Sequence, residues 1–494
     1  MSNKSIKTLA KPDSIIKGLP NICGHEEDVE LATSSNSPIF QSNADALQGV
    51  RAAFALALHM HQPTISAGGD ALEKASLINN LQYMFEHQSE GDNHNASVFE
   101  QCYTRIADFI RQLVDEGKSP RIMLDYSGNL LWGLDQMDKR YVLDNLSTVT
   151  VDPKYRKHVE WLGTMWSHAL PSSTPVPDLK LHMRAWQHHF ASIFGFEALS
   201  RVKGFSPPEM HMPNHPDVVY AYIKALQDCG YKWLLVQEHT VEEPDGSALR
   251  QKHLPRKLLA RNIAGDTISI TALIKTQGSD TKLVAQIQPL SEARGLQRLE
   301  LDGKSVPQFV VQVGDGENGG VMMNEFPRDY MEKMRQLPAD VPTFNGTEYL
   351  ELIEALGVNP DHYPVIQPVH QAKLWSKYHG GGTDALTHAI EACKKEDSRF
   401  HMDGGSWTDN ISWTSGYENV LDPMNQFSAH FHEVVDGKVS DGKISDTNDH
   451  RYRNALTHLL LSQTSCFRYW GQGRWTDYGK EICRRGMAIL SDWE

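Results

Sequence analysis

Carboxylate and imidazole side chains follow several apolar segments of this sequence. Asp315 and Glu317 come directly after one such segment, and Glu209 comes after another that ends in two prolines. His61 and His168 follow two more. Because positioned carboxyl and imidazole groups can take up and release protons in enzymes, these positions could support acid–base or nucleophilic catalysis. Each one taken singly also has a structural explanation, such as an Asp-Gly turn at the protein surface.

Apolar segments alternate with amphipathic ones, which predicts strands that alternate with helices. The segment 98–118 places its apolar residues on one helical face, and the segment 217–226 does the same before Gly230. This strand–loop–helix–glycine pattern is typical of βα units around a parallel sheet. Strands are predicted at 53–63, 121–134, 159–171, 201–213, 231–239 and from 308 onward.

The predicted fold class is α/β, with a β/α barrel followed by a helical C-terminal region. Residues 1–48 form an N-terminal extension with little regular structure, and residues 49–380 form the barrel. Residues from about 240 to 308 break the pattern and are interpreted as an insertion into the barrel. Residues 381–494 are predicted to be helical and to complete the active site. In such a barrel the ends of the parallel strands meet at one face, which carries the active site.

Two carboxylates from different strands, flanked by His and Trp, favour glycoside hydrolysis among the possible reactions. One carboxylic acid protonates the leaving oxygen, and the second carboxylate attacks the anomeric carbon or activates a water. For direct attack, the carboxyl groups of Glu209 and Asp315 would lie about 5–5.5 Å apart. Trp and Tyr rings can cover the apolar faces of sugars while their polar edges bond hydroxyl groups.

The bulk composition disfavours several other classes of protein. The chain has 494 residues and a formal net charge of −14, so neither nucleic acid nor an anionic membrane is an expected partner. Its six cysteines include no Cys-x-x-Cys pair, which argues against a thiolate metal site and indicates a reducing compartment. The sequence shows neither a signal peptide nor an apolar run of membrane-spanning length. We therefore expect a cytoplasmic protein.

Five motifs in order resemble those of family 57 of the glycoside hydrolases, over a region from about residue 50 to the C-terminus. The resemblance implies an incomplete, seven-stranded β/α barrel. It also implies a retaining hydrolase or transglycosylase that acts on α-glucans, of the amylase, 4-α-glucanotransferase or branching type. The stretch SQTSCFRYWGQG resembles the helical C-terminal region of that family. The five motifs are HQP at 61–63, GTMWSHALP at 163–171, GFSPPE at 204–209, GDGEN at 314–318 and GGSWTDNISW at 404–413.

The same resemblance assigns roles to individual residues. It makes Glu209 the nucleophile and Asp315 the acid/base. An oligo- or polysaccharide would be the binding partner, with no cofactor and no metal. The side chains expected to contact it are His61, Gln62, His168, His211, Glu317, Trp407, Trp413 and Trp470.

The sequence departs from the family pattern at two motifs. Ser206 stands where the third motif usually has Trp, and residues 319–322 bring no aromatic side chain after the fourth motif. Both changes remove aromatic surface near the reacting sugar, so a carbohydrate-binding protein with weak catalysis is one alternative. Binding of glucans without turnover would favour it.

A metal-dependent hydrolase on a related barrel, such as a deacetylase or a mannosidase, is another alternative. A His-x-His pair at a strand end is a fair metal motif, and neutral imidazole is a common zinc ligand. Metal analysis of the purified protein would separate this alternative from a glycosidase. The side chains that could supply zinc ligands are His59, His61, His168, His211 and Asp315.

Overall fold

A central sheet of mostly parallel strands, with helices packed against it, is the main feature of this computed structural model. The structure describes residues 5–40, 43–277, 288–317, 327–408, 412–440 and 447–493. The strands are β1 Ile15–Ile16, β2 Leu19–Pro20, β3 Ala52–Met60, β4 Thr64–Gly68, β5 Ser76–Asn79, β6 Ile122–Tyr126, β7 Val159–Trp161, β8 Gly204–Phe205, β9 Trp233–Gln237, β10 Val241–Glu242, β11 Arg256–Arg261, β12 Thr267–Lys275, β13 Leu299–Leu301, β14 Lys304–Val306, β15 Gln308–Asp315 and β16 Val365–Pro368.

The helices lie between these strands and, in the last quarter of the chain, follow one another. They are α1 Glu26–Thr33, α2 Asn80–Glu86, α3 Ala96–Asp115, α4 Gly128–Gln136, α5 Arg140–Val151, α6 Val176–Phe194, α7 Phe196–Leu199, α8 Pro216–Asp228, α9 Gln288–Arg294, α10 Pro327–Arg335, α11 Gly346–Ala355, α12 Gln371–Trp375, α13 Gly382–Glu396, α14 Glu418–Phe431, α15 Gly437–Ser440, α16 His450–Ser462, α17 Cys466–Tyr469 and α18 Arg474–Ser491. In the described ranges, every helix is too short or too polar to span a membrane.

Parallel pairs connect most strands of the central sheet, which has ten strands within the described ranges. In spatial order β7, β6, β3, β15 and β12 are neighbours and run parallel. β12 also pairs in parallel with β9, and β9 pairs with β8. An isolated parallel bridge joins Gly163, just after β7, to Phe205 in β8. The strands β11, β16 and β10 extend the sheet beyond β12, with antiparallel pairing of β11 to β12 and of β10 to β16.

Strand β3 shows how the sheet separates two layers of core. Phe54, Leu56 and Leu58 face the larger core, which the surrounding helices complete. The alanines at 53, 55 and 57 alternate with them and face a second core, where Leu235 and Val311 also lie. Successive side chains of a strand point to opposite faces. Because a core covers each face of β3, every residue of the strand up to Leu58 is buried.

The carboxyl ends of the parallel strands lie at one edge of the sheet. His59, near the end of β3, is in register with Asp315 at the end of β15 and with Asp125 on β6. Because parallel strands all run the same way, the residues that follow β8 and end β12 reach the same edge. This edge therefore gathers polar side chains from distant parts of the sequence.

Three strands are shorter in the structure than the sequence indicated. β6 ends at Tyr126, and α4 begins at Gly128 because the Ser127 hydroxyl accepts a hydrogen bond from the Leu130 amide at 3.3 Å. β7 ends at Trp161 and β8 ends at Phe205, and largely buried irregular segments continue both. The prediction was wrong there because a buried loop carries the same apolar residue types as a strand.

Two segments expected to lie outside the barrel are packed into the central sheet or its core. The segment 240–308, interpreted as an insertion, supplies β12, which lies in the sheet between β9 and β15. The N-terminal extension contains α1, whose Val29 and Ala32 belong to the larger core. Its Cys23 carbonyl also accepts a hydrogen bond from Arg453 Nη2 at 3.1 Å, so the extension is attached to α16.

Candidate active site

One cavity opens at the edge where the strand ends meet. Side chains from β3, β6, β12 and β15 form its wall together with the loop that follows β8 and a loop between α13 and α14. Glu209 and Asp315, which the sequence predicted as the two catalytic carboxylates, both lie on this wall. The full lining is His59, Asp125, Ser206, Pro207, Glu209, Met210, Lys275, Val313, Gly314, Asp315 and Trp407.

Glu209 lies in a short 3₁₀ turn, Pro208–Met210, in an unusual backbone conformation. Its φ of 56° and ψ of 21° fall in the left-handed region, and Met210 follows with a φ of 50°. Non-glycine residues seldom adopt this conformation, and such strain tends to occur at functional sites. The two prolines before Glu209 restrict the approach of the chain, so the turn presents the carboxyl group to the cavity.

Trp407 holds this turn in place from a distant part of the chain. Its indole Nε1 donates a hydrogen bond to Glu209 Oε2 at 2.6 Å, and its backbone amide donates to the Glu209 carbonyl at 3.1 Å. The residues just before Trp407 are also joined to the segment after Glu209, because the Met212 amide donates to the Gly405 carbonyl at 2.8 Å. Trp407 remains 36% exposed, so one part of its ring is free to meet a ligand.

The carboxyl group of Glu209 has a raised pKa. Burial and the neighbouring Asp315 raise it to about 7, against the hydrogen bond from Trp407 and the charge of His59, which lower it. The side chain is 15% exposed, so the cavity mouth gives it limited access to water. The negative charge of Asp315 therefore opposes ionisation of Glu209.

Glu317 lies two residues after Asp315 but has a different function in the structure. Its Oε1 accepts a hydrogen bond from the His61 amide at 3.0 Å, which ties the end of β15 to the loop after β3. Burial and the charge of Asp315 raise the pKa of Glu317 to about 7. A Cβ at Gly316 would lie 1.9 Å from Met60 Cε, so a larger residue there would force the Met60 side chain to move. Glu317 is not part of the cavity wall.

A chain of hydrogen bonds runs from Asp125 through two histidines to the C-terminal region. His59 Nδ1 is 2.9 Å from Asp125 Oδ2, and His59 Nε2 is 2.9 Å from His168 Nε2. His168 Nδ1 is 2.7 Å from Ser465 Oγ. Burial opposes the charge of His59, but Asp125, Asp315 and Glu317 together raise its pKa to about 10. His59 is therefore a cation that donates from both nitrogens.

The charge of His59 fixes the protonation of His168. Burial and the neighbouring histidines hold the pKa of His168 well below its usual range, so this ring is neutral. Its Nε2 accepts the hydrogen bond from His59, so its Nδ1 carries the proton and donates to Ser465. His168 Nε2 also lies 4.0 Å from Glu209 Oε1. The backbone of His168 is in the left-handed region, with a φ of 62°.

The arrangement of His61 argues against a metal centre. Among the described residues, the donor group tight enough to hold an ion is His61, His168 and Cys466, whose ligand atoms lie within 4.8 Å of one another. The rings of His61 and His168 are stacked at 4.0 Å with an angle of 7° between their planes. Parallel rings direct their nitrogen lone pairs side by side, whereas tetrahedral zinc needs ligands that converge. His61 is also hydrogen bonded to Ser127 Oγ at 2.7 Å and Cys466 Sγ at 3.3 Å.

The other predicted contact residues lie at varying positions around the cavity. Gln62 is buried, and its Oε1 accepts a hydrogen bond from Asn80 Nδ2 at 2.8 Å. His211 is buried behind the Gly404 backbone, where a Cβ would lie 2.6 Å from His211 Cε1. None of the predicted contact residues except Trp407 lines the cavity within the described residues. Residues 318–322 and 409–411, which belong to or follow two of the motifs, lie outside the described residues.

The two remaining predicted tryptophans pack against residues of the C-terminal helices. Trp413 meets Tyr469 edge to face, with ring centroids 4.7 Å apart. Trp470 meets Trp475 edge to face at 4.2 Å. Both pairs place aromatic surface beside α17, the helix that follows Ser465.

Sequence reasoning missed several residues of the site. Asp125 lies within an apolar strand and Lys275 ends another. A charged residue at such a position in an apolar segment is a sequence pattern that could have identified both. Burial lowers the pKa of the Lys275 ammonium to about 8. Tyr469 lies close enough to Glu209 and Asp315 for their charges, after burial, to raise its pKa to about 12. Tyr469 and Ser465 lie in the stretch SQTSCFRYWGQG, but their residue types and spacing mark neither of them as a site residue.

Comparisons with known proteins agree with this arrangement of strands and motifs. The family model described as Glycosyl hydrolase family 57 matches residues 55–356. The solved 4-alpha-glucanotransferase from Thermococcus litoralis is 13% identical, with a TM-score of 0.55 over 90% of this chain and 60% of that chain. Thus the chain spans 60% of the length of that enzyme, and the likeness concerns the fold.

Two further solved structures show weaker similarity. The GH57-type branching enzyme from Pyrococcus horikoshii is 12% identical, with a TM-score of 0.47 over 89% of this chain and 88% of that chain. The α-amylase AmyC from Thermotoga maritima is 11% identical, with a TM-score of 0.49 over 90% of this chain and 93% of that chain. No curated protein sequence matches the chain.

Proposed function

Because this chain belongs to glycosyl hydrolase family 57, we propose that it cleaves or transfers α-glucan chains with retention of configuration. Glu209 is the nucleophile and Asp315 is the acid/base in this proposal. The observation that supports it most strongly is that these two carboxyls, from distant parts of the chain, line one cavity, where burial and Asp315 raise the pKa of Glu209 to about 7. Carboxyl groups with a perturbed pKa are frequent at catalytic sites.

The reaction would proceed in two displacement steps. Glu209 attacks the anomeric carbon while Asp315 donates a proton to the departing glycosidic oxygen. Water or a sugar hydroxyl then attacks the glycosyl-enzyme ester, and Asp315 takes up the proton of that nucleophile. Each step inverts the anomeric centre, so the product has the configuration of the substrate.

Two contacts of Glu209 favour the ionised form that a nucleophile requires, against the burial that raises its pKa. The indole of Trp407 donates to Oε2, and the cationic ring of His59 lies on the same cavity wall. Both interactions stabilise negative charge on Glu209 and lower its pKa. Asp125 and His168 act indirectly, because they hold His59 in its position and charge state.

A closed, seven-stranded barrel is the fold that we propose around this site. The parallel strands β7, β6, β3, β15, β12, β9 and β8 follow one another in pairs. The bridge between Gly163 and Phe205 would join the two ends of this series, with the Ser206 amide donating to the Gly163 carbonyl at 2.8 Å. Ser206 itself lines the cavity, where the smaller side chain leaves space that Trp would fill in relatives.

Product analysis on maltooligosaccharides of defined length tests the proposed function. We expect products that retain the α configuration when they are first released, as seen by proton NMR during the first turnovers. Shorter oligosaccharides alone would identify hydrolysis, longer ones a glucanotransferase, and new α-1,6 linkages a branching enzyme. Initial release of β-configured products, or no turnover of any α-glucan, would contradict the proposal.

Replacement of Trp407 by Phe is expected to move the acidic limb of the pH profile of kcat/KM to higher pH. The pKa of Glu209 is about 7 in the free enzyme, and the indole hydrogen bond lowers it. Phe cannot donate this bond, so the pKa of Glu209 should rise and a higher pH should be needed to ionise it. The profile of kcat/KM measures this directly, because it reports ionisations of the free enzyme.

Trp375→Phe is the matched control for this experiment. Trp375 ends α12, outside the cavity wall, and packs under the Arg261 guanidinium at 4.9 Å. Its replacement should leave the acidic limb where it is in the unmodified enzyme. An unchanged limb in Trp407→Phe, or an equal shift in both variants, would show that the indole does not control Glu209.

A further inference from the structure

A second cavity, of about 300 Å³, lies between the start of α18 and the loop after α2. Tyr83, Trp475 and Tyr478 supply aromatic surface to its wall, and Asn80, Asp92 and Asn93 supply polar groups. None of these residues belongs to the wall of the first cavity. The volume falls at the lower end of the range for small-ligand sites.

Two aromatic side chains of this cavity, Trp475 and Tyr478, form an edge-to-face series with Trp470, which lies outside the cavity wall. Trp475 contacts Trp470 with centroids 4.2 Å apart and Tyr478 with centroids 5.6 Å apart. Trp470 is 40% exposed at the end of the series. Within the described residues, Trp407 and Trp470 are the tryptophans exposed to this degree, and Trp407 lines the reaction cavity. Because Trp470 contacts Trp475 on the cavity wall, the exposed ring extends an aromatic patch, and such patches mark interaction sites or ligand-binding grooves.

Arg474 is committed to internal contacts in this cavity. Its Nε donates to Tyr478 Oη at 2.6 Å, and its guanidinium lies 4.4 Å above the ring of Tyr83. Its Nη1 is also 3.4 Å from Glu90 Oε2. With this cation paired and the carboxylate of Asp92 exposed nearby, the cavity disfavours an anionic ligand. Aromatic faces combined with amide and carboxylate acceptors suit a neutral ligand that carries many hydroxyl groups.

Two connections join this cavity to the reaction site. The Asn80 side chain donates to Gln62, which belongs to the HQP motif. Ser465, which is hydrogen bonded to His168, begins the segment that runs through α17 to Trp470 and Trp475. These contacts link the walls of the second cavity to residues that surround the reaction site.

We propose that this second cavity binds a segment of the glucan chain away from the reacting bond, with Trp475 and Asp92 as contact residues. The identity of the ligand as a glucan rests on the proposed function, whereas the aromatic and polar character of the site does not. The site would increase affinity for long chains over short ones, because a short oligosaccharide cannot occupy both cavities at once.

Affinity electrophoresis in gels that contain amylose tests this inference. The protein carries Glu209→Gln, so that the polymer is not consumed during the run. Adding Trp475→Ala or Asp92→Ala should weaken amylose affinity by about three- to tenfold, since a stacked aromatic ring contributes on this scale. The loss should be smaller for maltotriose, measured by calorimetry. Asp92 is exposed, so its variant tests the site even if Trp475→Ala fails to fold.

Tyr141→Ala is the control, because Tyr141 is 53% exposed on α5 and lines neither cavity. It should bind amylose like the parent protein. Unchanged amylose affinity in Asp92→Ala and in folded Trp475→Ala would overturn the inference, and so would an equal loss in Tyr141→Ala. Failure of the proposed catalytic roles would instead appear as consumption of amylose by the Glu209→Gln parent.

Discussion

Glu209→Gln is expected to lower kcat on maltooligosaccharides by at least about a thousandfold, as loss of a covalent nucleophile does. The amide keeps the size and shape of the side chain but is a very poor nucleophile. It can still meet the Trp407 indole through its carbonyl oxygen, so the turn at Pro208–Met210 should persist. Initial rates and the melting temperature of the same preparation check both parts of the prediction.

Glu160→Gln provides the matched control for the loss of a buried carboxyl. Glu160 is 3% exposed, and burial raises its pKa to about 8, but it lies on β7 away from the cavity and accepts from the Thr347 amide at 3.1 Å. Its replacement should alter stability more than kcat. If Glu209→Gln retained most of its activity, or lost no more than Glu160→Gln, the nucleophile would have to be a different group.

Asp315→Asn is expected to lower kcat by about a hundredfold or more on maltooligosaccharides, in line with the usual contribution of a general acid. The loss should be much smaller on α-glucosyl fluoride, because fluoride leaves with little help from a proton. Glu209→Gln should lose activity on both substrates alike, since both need the nucleophile. The ratio of rates on the two substrates therefore distinguishes the roles of the two carboxyls.

Asp217→Asn is the control for this second experiment. Asp217 lies at the start of α8, where its Oδ1 accepts from the Ile263 amide at 3.0 Å, and it is not on the cavity wall. Its substrate ratio should match that of the unmodified enzyme. An equal loss on both substrates in Asp315→Asn would contradict its role as the proton donor.

The local parts of the fold could be predicted from the sequence where periodicity was clear. The alternation along β3 and the apolar face of α3 follow from strand and helix geometry alone. The start of α4 was missed because one hydroxyl, that of Ser127, ends the strand and caps the helix within an apolar run. β12 was read as part of an insertion because its place between β9 and β15 is set by pairing over long distances.

The candidate site could be predicted only in part for a similar reason. Glu209 and Asp315 stand out because polar residues after apolar strands, together with the family motifs, mark them in sequence. Trp407 was expected to contact the substrate, and its hydrogen bond to Glu209 at 2.6 Å places its ring beside this carboxyl group. The roles of Asp125 and Ser465 depend on the histidine chain between them, and such contacts cannot be derived from spacing along the sequence.

The assignment of Glu209 as the nucleophile is tested by locating the residue that forms the glycosyl-enzyme. A 5-fluoro-α-glucosyl fluoride should form the ester and slow its hydrolysis, so that the adduct can be located by peptide mass mapping. We expect a 5-fluoroglucosyl adduct on Glu209 in the unmodified enzyme and none in Glu209→Gln. An adduct on Asp315 or Glu317, or turnover of the reagent without any covalent adduct, would contradict the assignment.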